Sequence, residues 1–260
     1  MLSNDDGIES PGLHALVRAV HSLGELLVVA PRHQQSATSR SYAQAPGATE
    51  THTLRAGAKT ITAWAIEATP AQAVMHGLLR FAARPPDLLI SGINYGENIG
   101  AGLTVSGTVG AAWEGASMGI PALAVSLEVG VEHHYSHSDA VDFVVASRIA
   151  RRFAKAVLQN GMPDGVQIYN INVPENAPHN VPWRLTRVSR HSHYYNVVRE
   201  DQQGEKVVEG YDRRIDLTQM EEGSDLYALF KERKVSVTPL TIDVTAQTPA
   251  DEIMRRLTPL

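Results

Sequence analysis

Two adjacent aspartates, Asp5 and Asp6, stand in the segment Ser3-Asn4-Asp5-Asp6-Gly7-Ile8. Side-by-side carboxylates repel one another unless a proton or a cation neutralises them, and Gly7 lets the backbone turn sharply around that charge. The segment is compatible with a metal site and equally with a solvated Asn-Asp-Gly turn, since these are common turn residues. A second group, Ser91-Gly92-Ile93-Asn94-Tyr95-Gly96-Glu97-Asn98-Ile99-Gly100, offers the neutral amide oxygens of Asn94 and Asn98. Its glycines allow close approach of backbone to ligand, and mixed carboxylate and amide oxygens suit magnesium or manganese. The plain reading of the same stretch is a flexible surface loop. A third group, Ser106-Gly107-Thr108-Val109-Gly110-Ala111-Ala112, opens a helix with small residues. Free N–H groups at a helix N-terminus beside two hydroxyls form an anion site without a positive side chain, and phosphate is the natural guest. Packing of a small-residue helix on a sheet accounts for Gly110, Ala111 and Ala112, but less well for Ser106 and Thr108. The segment is neither a Walker loop, lacking Gly-Lys-Ser/Thr, nor the dinucleotide fingerprint, since it does not follow the first strand.

Such groups must be held by elements. Short apolar runs at Leu26–Ala30, Asp87–Ser91, Ala122–Ser126 and Val166–Ile171 alternate with helical patterns, the signature of a parallel α/β sheet. In an open parallel sheet, ligands bind at the carboxyl ends of the strands, where the acidic turn falls. Ser10 and Pro11 start a first helix whose apolar stripe is Leu13, Leu16, Val17, Val20 and Leu23. Thr69-Pro70-Ala71-Gln72 has the spacing of a capping box. A third helix is expected over Gly107–Met118 and a longer one from Ser138 to about Gln159. After Asn172 the pattern changes: Pro174, Pro178 and Pro182 mark a break, and Leu185–Val198 and Lys206–Ile215 flank Gly204 as a two-stranded arm. An isolated hairpin is marginal in water, so the arm must pack on something. A strand at Lys234–Thr238 and a helix at Ala250–Leu257 follow. The arm and the terminal helix are candidates for exchange between subunits, the other reading being that they fold back on their own chain.

Composition bounds the function. The 260 residues are 43% hydrophobic and 20% charged, which suits one large globular domain with an appendage. The division expected is a catalytic core over 1–183 and an oligomerisation extension over 184–260 that is not an independent domain. No apolar run approaches the roughly 18 residues of a membrane span, and the start lacks a basic stretch followed by an apolar one. A cytoplasmic protein is expected, with no membrane partner. Absence of cysteine removes thiolate chemistry and leaves oxygen and imidazole as metal ligands. A net charge of −5 without a Lys/Arg block argues against stable nucleic-acid binding and for a small phosphorylated substrate.

Together with Ala30-Pro31-Arg32-His33-Gln34-Gln35-Ser36, these segments resemble the SurE family of survival-protein-type 5′/3′-nucleotidases. The resemblance runs through SNDDGI, the VVAPxxxQS stretch ending at Ser36, SGINYGENIG, SGTVGAAWEG, INVP at Ile171–Pro174 and VSVTPLTIDVT at Val235–Thr245, and so covers most of the chain. It implies a Rossmann-like parallel-sheet core with helices on both faces, plus a C-terminal β-hairpin arm and terminal helix used in oligomerisation. It implies a metal-dependent phosphomonoesterase acting on nucleoside 5′- and 3′-monophosphates, in some members also on short polyphosphate. One divalent cation per subunit is implied, magnesium or manganese first and calcium as a further option, in a homodimer or homotetramer assembled through swapped C-terminal elements. Carried over by position, the metal ligands fall on Asp5, Asp6, Ser36 and Asn94, with Asp5 and Asp6 also catalytic. Asn98, Ser106, Gly107 and Thr108 then surround the phosphate. The expected chemistry is direct attack of water, oriented or deprotonated by Asp6. A phospho-aspartate route is the rival, but the haloacid-type motif separates its two aspartates by one residue. Two departures stand out: only Met1 and Leu2 precede Ser3, which implies reduced metal affinity or a start upstream, and Ser39–Gly47 lacks the family's usual glycine after the serine loop.

Other residues have chemical types without a clear partner. His133, His134 and His137 near Asp139 are read as a pH-sensitive surface patch rather than a metal site. Trp64, Trp113 and Trp183 are packing residues. Tyr95 or Tyr42 is the candidate to stack on a base, and His33 and Arg32 are minor candidates for phosphate contact. A nucleotide- or phosphate-binding module without turnover is the alternative function, and a nucleotide-dependent transferase is weaker because no acceptor-binding segment is evident.

Overall fold

The apolar runs assemble into one sheet. The structure is a computed structural model that describes residues 1–43, 47–138 and 140–258. Its strands are β1 (Leu2–Ser3), β2 (Val28–Pro31), β3 (Thr49–Ala56), β4 (Lys59–Ile66), β5 (Leu89–Tyr95), β6 (Ala122–Leu127), β7 (Ile168–Val173), β8 (Trp183–Leu185), β9 (Tyr194–Glu200), β10 (Lys206–Arg213) and β11 (Val235–Leu240). Nine of them form a sheet in the order β3-β4-β2-β1-β5-β6-β7-β11-β8. From β4 to β7 every neighbouring pair is parallel. The antiparallel pairs are β3 with β4 and β11 with β7. The chain order reverses at β1 and β5, and ligands of open α/β sheets bind at such switch points.

The period of two along each strand sends alternate residues to opposite layers. Leu123 and Val125 join one apolar core with Leu13, Leu16 and Val17 of α1 (Pro11–Val20) and Ile149 and Ala150 of α4 (Val144–Asn160). Ala122 and Ala124 join the other, with Val74 of α2 (Pro70–His76) and Val109, Ala111 and Ala112 of α3 (Gly107–Ser117). The sheet therefore has helices on both faces. The capping box forms as spaced: Thr69 Oγ1 accepts from Gln72 N, and Gln72 Oε1 accepts from Thr69 N.

Several boundaries differ from the sequence reading. The helix expected from Ser138 begins at Val144, because residues 131–133 form a separate short turn and Phe143 turns inward onto Tyr95. The arm is shorter than read. Leu185 belongs to β8 and pairs into the main sheet, and the arm's first strand starts only at Tyr194. β9 and β10 then pair antiparallel as a separate ribbon with an irregularity at Val208/Gly210. Pro239 lies inside β11 rather than ending it, beyond the three residues that pair with β8. The hairpin β3–β4 was not anticipated at all. A terminal helix α5 spans Ala250–Leu257 as expected and buries none of its residues. Among the described residues, no helix is long and apolar enough to cross a membrane.

Candidate active site

The acidic turn follows β1 directly. Asn4 Nδ2 donates to Gly7 O at 2.9 Å and closes it, while Gly7 takes a φ of +96° against the backbone of residues 32–34, a conformation suited to glycine. Asp5 and Asp6 are both buried. Asp6 Oδ1 accepts from Gln34 Nε2 at 3.1 Å and its Oδ2 from the Tyr95 backbone N–H at 3.3 Å. Asp5 Oδ1 accepts from the Thr108 hydroxyl at 2.5 Å, and the Asp5 carbonyl accepts from Gln35 N at 2.7 Å. The N-terminus of α3 lies on Asp5 so closely that a Cβ at Gly107 would come within 2.7 Å of the Asp5 side chain.

Burial pushes the Asp5 carboxyl up to about 6, the Thr108 hydrogen bond offsetting only part of the effect. Asp6 is driven well above the ordinary carboxylate range by burial and then by the charge of Asp5, against the hydrogen bonds from Tyr95 and Gln34. Two buried, electrostatically interacting carboxyls favour a proton or a cation between them.

A cleft of about 400 Å³ opens beside this pair, and Asp5, Ser36, Asn94, Asn98, Ser106 and Gly107 all line it. Asp6 and Thr108 stand just behind, through their bonds to Tyr95 and Asp5. Thr108, expected to face the phosphate, spends its hydroxyl hydrogen on Asp5 instead. Asn94 Nδ2 donates to Gly96 O at 2.7 Å, which leaves its amide oxygen to act as acceptor. Ser106 caps α3, its Oγ accepting from Val109 N at 3.1 Å while its own hydrogen stays available to an anion. Among the described residues no three His, Asp or Glu side chains converge as a cage. A cation here would therefore depend on two carboxylates and the neutral oxygens of Ser36 and Asn94, a hard-oxygen set that fits magnesium or manganese.

The far wall of the cleft was missed in the sequence. It is built by His134 and Tyr135 and by Tyr194 and Tyr211 of the arm. The three histidines do not form one surface patch: His133 stays half-exposed beside Glu132, while His134 and His137 turn toward the cleft and the acidic turn. His134 is buried with Nδ1 2.9 Å from the Tyr211 hydroxyl, and His137 Nε2 donates to the Asp6 carbonyl at 2.7 Å. Asp139, the acidic neighbour expected beside them, lies outside the described residues. Tyr95 lines the cleft, yet its ring packs edge-on against Phe143 at 4.9 Å. Tyr42 bonds Glu114 Oε1 at 2.6 Å and does not line the cleft, and Arg32 pairs with Glu50 at 3.0 Å. Glu97, unremarked within its motif, is fully buried and faces His193 Nε2 at 3.1 Å and Arg213 at 3.5 Å. Burial raises its pKa, but His193 and Arg213 outweigh this and hold it below the usual range. No local signal marks these contacts, since Glu97 and Tyr194 are 97 positions apart.

Known proteins resemble the chain over most of its length. The family model for survival protein SurE matches residues 1–195. The chain is 40% identical to the 5′-nucleotidase SurE of Thermococcus kodakarensis, over 99% of this chain and 97% of that one. It is 41% identical to 5′-nucleotidase SurE 1 of Thermus thermophilus, over 95% of this chain and 92% of that one. The crystal structure of the SurE protein from Aquifex aeolicus superposes with a TM-score of 0.78 at 29% identity, covering 98% of this chain and 96% of that one. With its acidic turn, serine loop and small-residue helix arranged around one cleft, the chain belongs to the SurE family.

Proposed function

We propose that this chain is a 5′-nucleotidase that hydrolyses nucleoside monophosphates with the help of one divalent cation per subunit, magnesium or manganese. The observation that carries the reading is the buried pair Asp5 and Asp6 packed against the N-terminus of α3 beside one cleft. The curated relatives named as 5′-nucleotidases support the choice of reaction. Asp5, Asp6, Ser36 and Asn94 would hold the cation, which when bound supplies charge neutralisation at the phosphate and activation of a water. Ser106 and Asn98 donate to phosphoryl oxygens, and the bare backbone at Gly107 lets the phosphate approach α3. Thr108 holds Asp5 in place. Asp6, held by Gln34 and the Tyr95 N–H, orients the attacking water or takes a proton from it.

The cleft volume lies within the roughly 300–1,000 Å³ typical of small-molecule sites. The rings of Tyr135, Tyr194 and Tyr211 at its far wall give a base a surface to rest on. Nucleoside 3′-monophosphates and short polyphosphates are further substrates within this reading. The arm and α5 are the elements we assign to a homodimer or homotetramer, and the cytoplasm is the expected compartment.

Release of inorganic phosphate from AMP and GMP, with manganese and then with chelator, tests the proposal. Release that stops in chelator and returns with metal is expected. Undiminished release in chelator contradicts the cation, and tight nucleotide binding without release points to a binding module instead.

A further inference from the structure

Asn94 lies near the end of β5 and Asn98 in the loop that follows it toward α3, and this loop is gripped from two sides. On the sheet side, Asn98 N donates to Asn172 Oδ1 at 2.7 Å, and Asn98 Nδ2 to Ser126 Oγ at 2.9 Å. The Asn98 carbonyl accepts from Asn170 Nδ2 at 2.7 Å and from Asn172 Nδ2 at 3.2 Å. On the other side the grip comes from the arm. Glu97, with a side chain 0% exposed, accepts from the Tyr194 hydroxyl at 2.8 Å and pairs with His193 and with Arg213. Gly100 N and Ala101 N are held by Asp225 Oδ2 at 3.0 Å and His191 O at 3.1 Å.

A buried ion pair adds little net stability compared with apolar packing, and its best-attested use is to fix one arrangement among several. Here the arrangement that it fixes is the seating of the arm root, where β9 begins and β10 ends, on the residue next to Asn98. We propose that Glu97 is a positioning residue through which the arm sets the placement of Asn98, so that turnover depends on the arm root being seated. The proposal rests on reading the cleft as a phosphatase site. Four hydrogen bonds hold Asn98 on the sheet, and Glu97 ties the neighbouring residue to the arm root, so the backbone at this point is fixed from both sides. Misplacement of a positioning group by about 1 Å can cost on the order of 100-fold in rate.

Glu97→Gln keeps the size of the side chain and removes its charge. It is expected to lower kcat for AMP by roughly 10- to 100-fold with KM little changed. Arg213→Met leaves the Glu97 charge buried with a main partner gone, and should lower both Tm and kcat. The double variant Glu97→Gln/Arg213→Met removes that unpaired charge, so Tm recovers while kcat stays low. A kcat that rises in step with Tm would reduce the cluster to a structural role and overturn the proposal.

Hydrogen exchange over residues 94–101 gives a readout apart from activity. It should accelerate in Glu97→Gln while α1 and α4 are unaffected. Should Glu97→Gln fail to fold, Tyr194→Phe removes one hydrogen bond to Glu97, keeps the ring, and should shift exchange in the same direction. If the wild type released no phosphate from AMP, the nucleotidase reading would fall. Exchange would then decide alone: acceleration upholds the role of Glu97, and wild-type protection in the variants overturns it.

Discussion

Thr108 donates its hydroxyl hydrogen to Asp5 Oδ1 at 2.5 Å, joining the first turn of α3 to the acidic turn after β1, 103 residues away in the chain. The bond fixes the orientation of the carboxylate that lines the cleft. A hydrogen bond to a charged group contributes about 1.5–3 kcal/mol. Thr108→Val keeps the shape, so its expected effect is manganese binding roughly tenfold weaker or more. Calorimetric titration with manganese checks this, and unchanged affinity would separate Thr108 from the site.

Metal-free stability carries the mark of the acidic pair. A carboxyl raised from 3.8 to about 6, as for Asp5, holds a proton in the folded state over a window in which the unfolded chain has lost it. Stability then falls as pH rises through that window, the opposite of an ordinary salt-bridged aspartate. Other carboxylates oppose the trend, among them Glu221, held low by Ser189 and the Arg190 N–H. The difference between wild type and Asp6→Asn isolates the pair. In chelator, the Tm of wild type relative to Asp6→Asn should fall as pH rises from about 4 to about 7, and manganese should restore it. A difference that does not vary with pH would contradict the burial of two interacting carboxyls.

Gly110 lies where the backbone of the Ser36 loop crosses α3. A Cβ there would stand 2.2 Å from Ser39 O, a backbone atom with little room to yield. Arg40 and Tyr42, on the same loop, are anchored to Glu114 of that helix at 2.7 and 2.6 Å. Gly110→Ala is expected to destabilise by about 1–3 kcal/mol and to weaken manganese binding by displacing Ser36. Thermal melts with and without manganese check both effects. A variant with wild-type Tm and wild-type metal response would show that the loop does not depend on this crossing.

Water attack and an aspartyl-phosphate intermediate predict different quench products. Asp5 is committed to Thr108, and Asp6 is tied at both oxygens by Gln34 and Tyr95, so neither carboxylate is free to swing into line as a nucleophile. Rapid quench with AMP labelled in the phosphate is expected to trap no labelled protein. Acid-stable label on Asp5 or Asp6 would replace the direct mechanism with a covalent one.

What the sequence disclosed was mainly local. The capping box of Thr69 and Gln72 needs only a three-residue spacing, and the acidic turn needs only a strand before it, so both were legible. Ser36 came from family resemblance alone, since an isolated serine in a polar loop has no chemical signature. The far wall of the cleft was hidden because His134, Tyr194 and Tyr211 meet through long-range packing. β3 escaped notice because it lies at the sheet edge and mixes exposed, half-buried and buried positions without a continuous apolar run, while the apolar run of β4 is limited to Ala63–Ile66. Leu185 was drawn into the arm because Leu185 and Val188 continue its apolar rhythm, whereas Leu185 pairs with Val237 in the main sheet. Histidines in a polar stretch looked like surface residues because nothing nearby in sequence tells that Asp6 supplies a carbonyl to His137.

Replacing Asp5 or Asp6 with alanine, and following manganese uptake together with phosphate release from AMP, tests the central claim most directly. The expected result is loss of both properties in each variant with the fold intact. Uptake and release that both persist at wild-type levels would contradict the assignment of the acidic turn as the centre of the site.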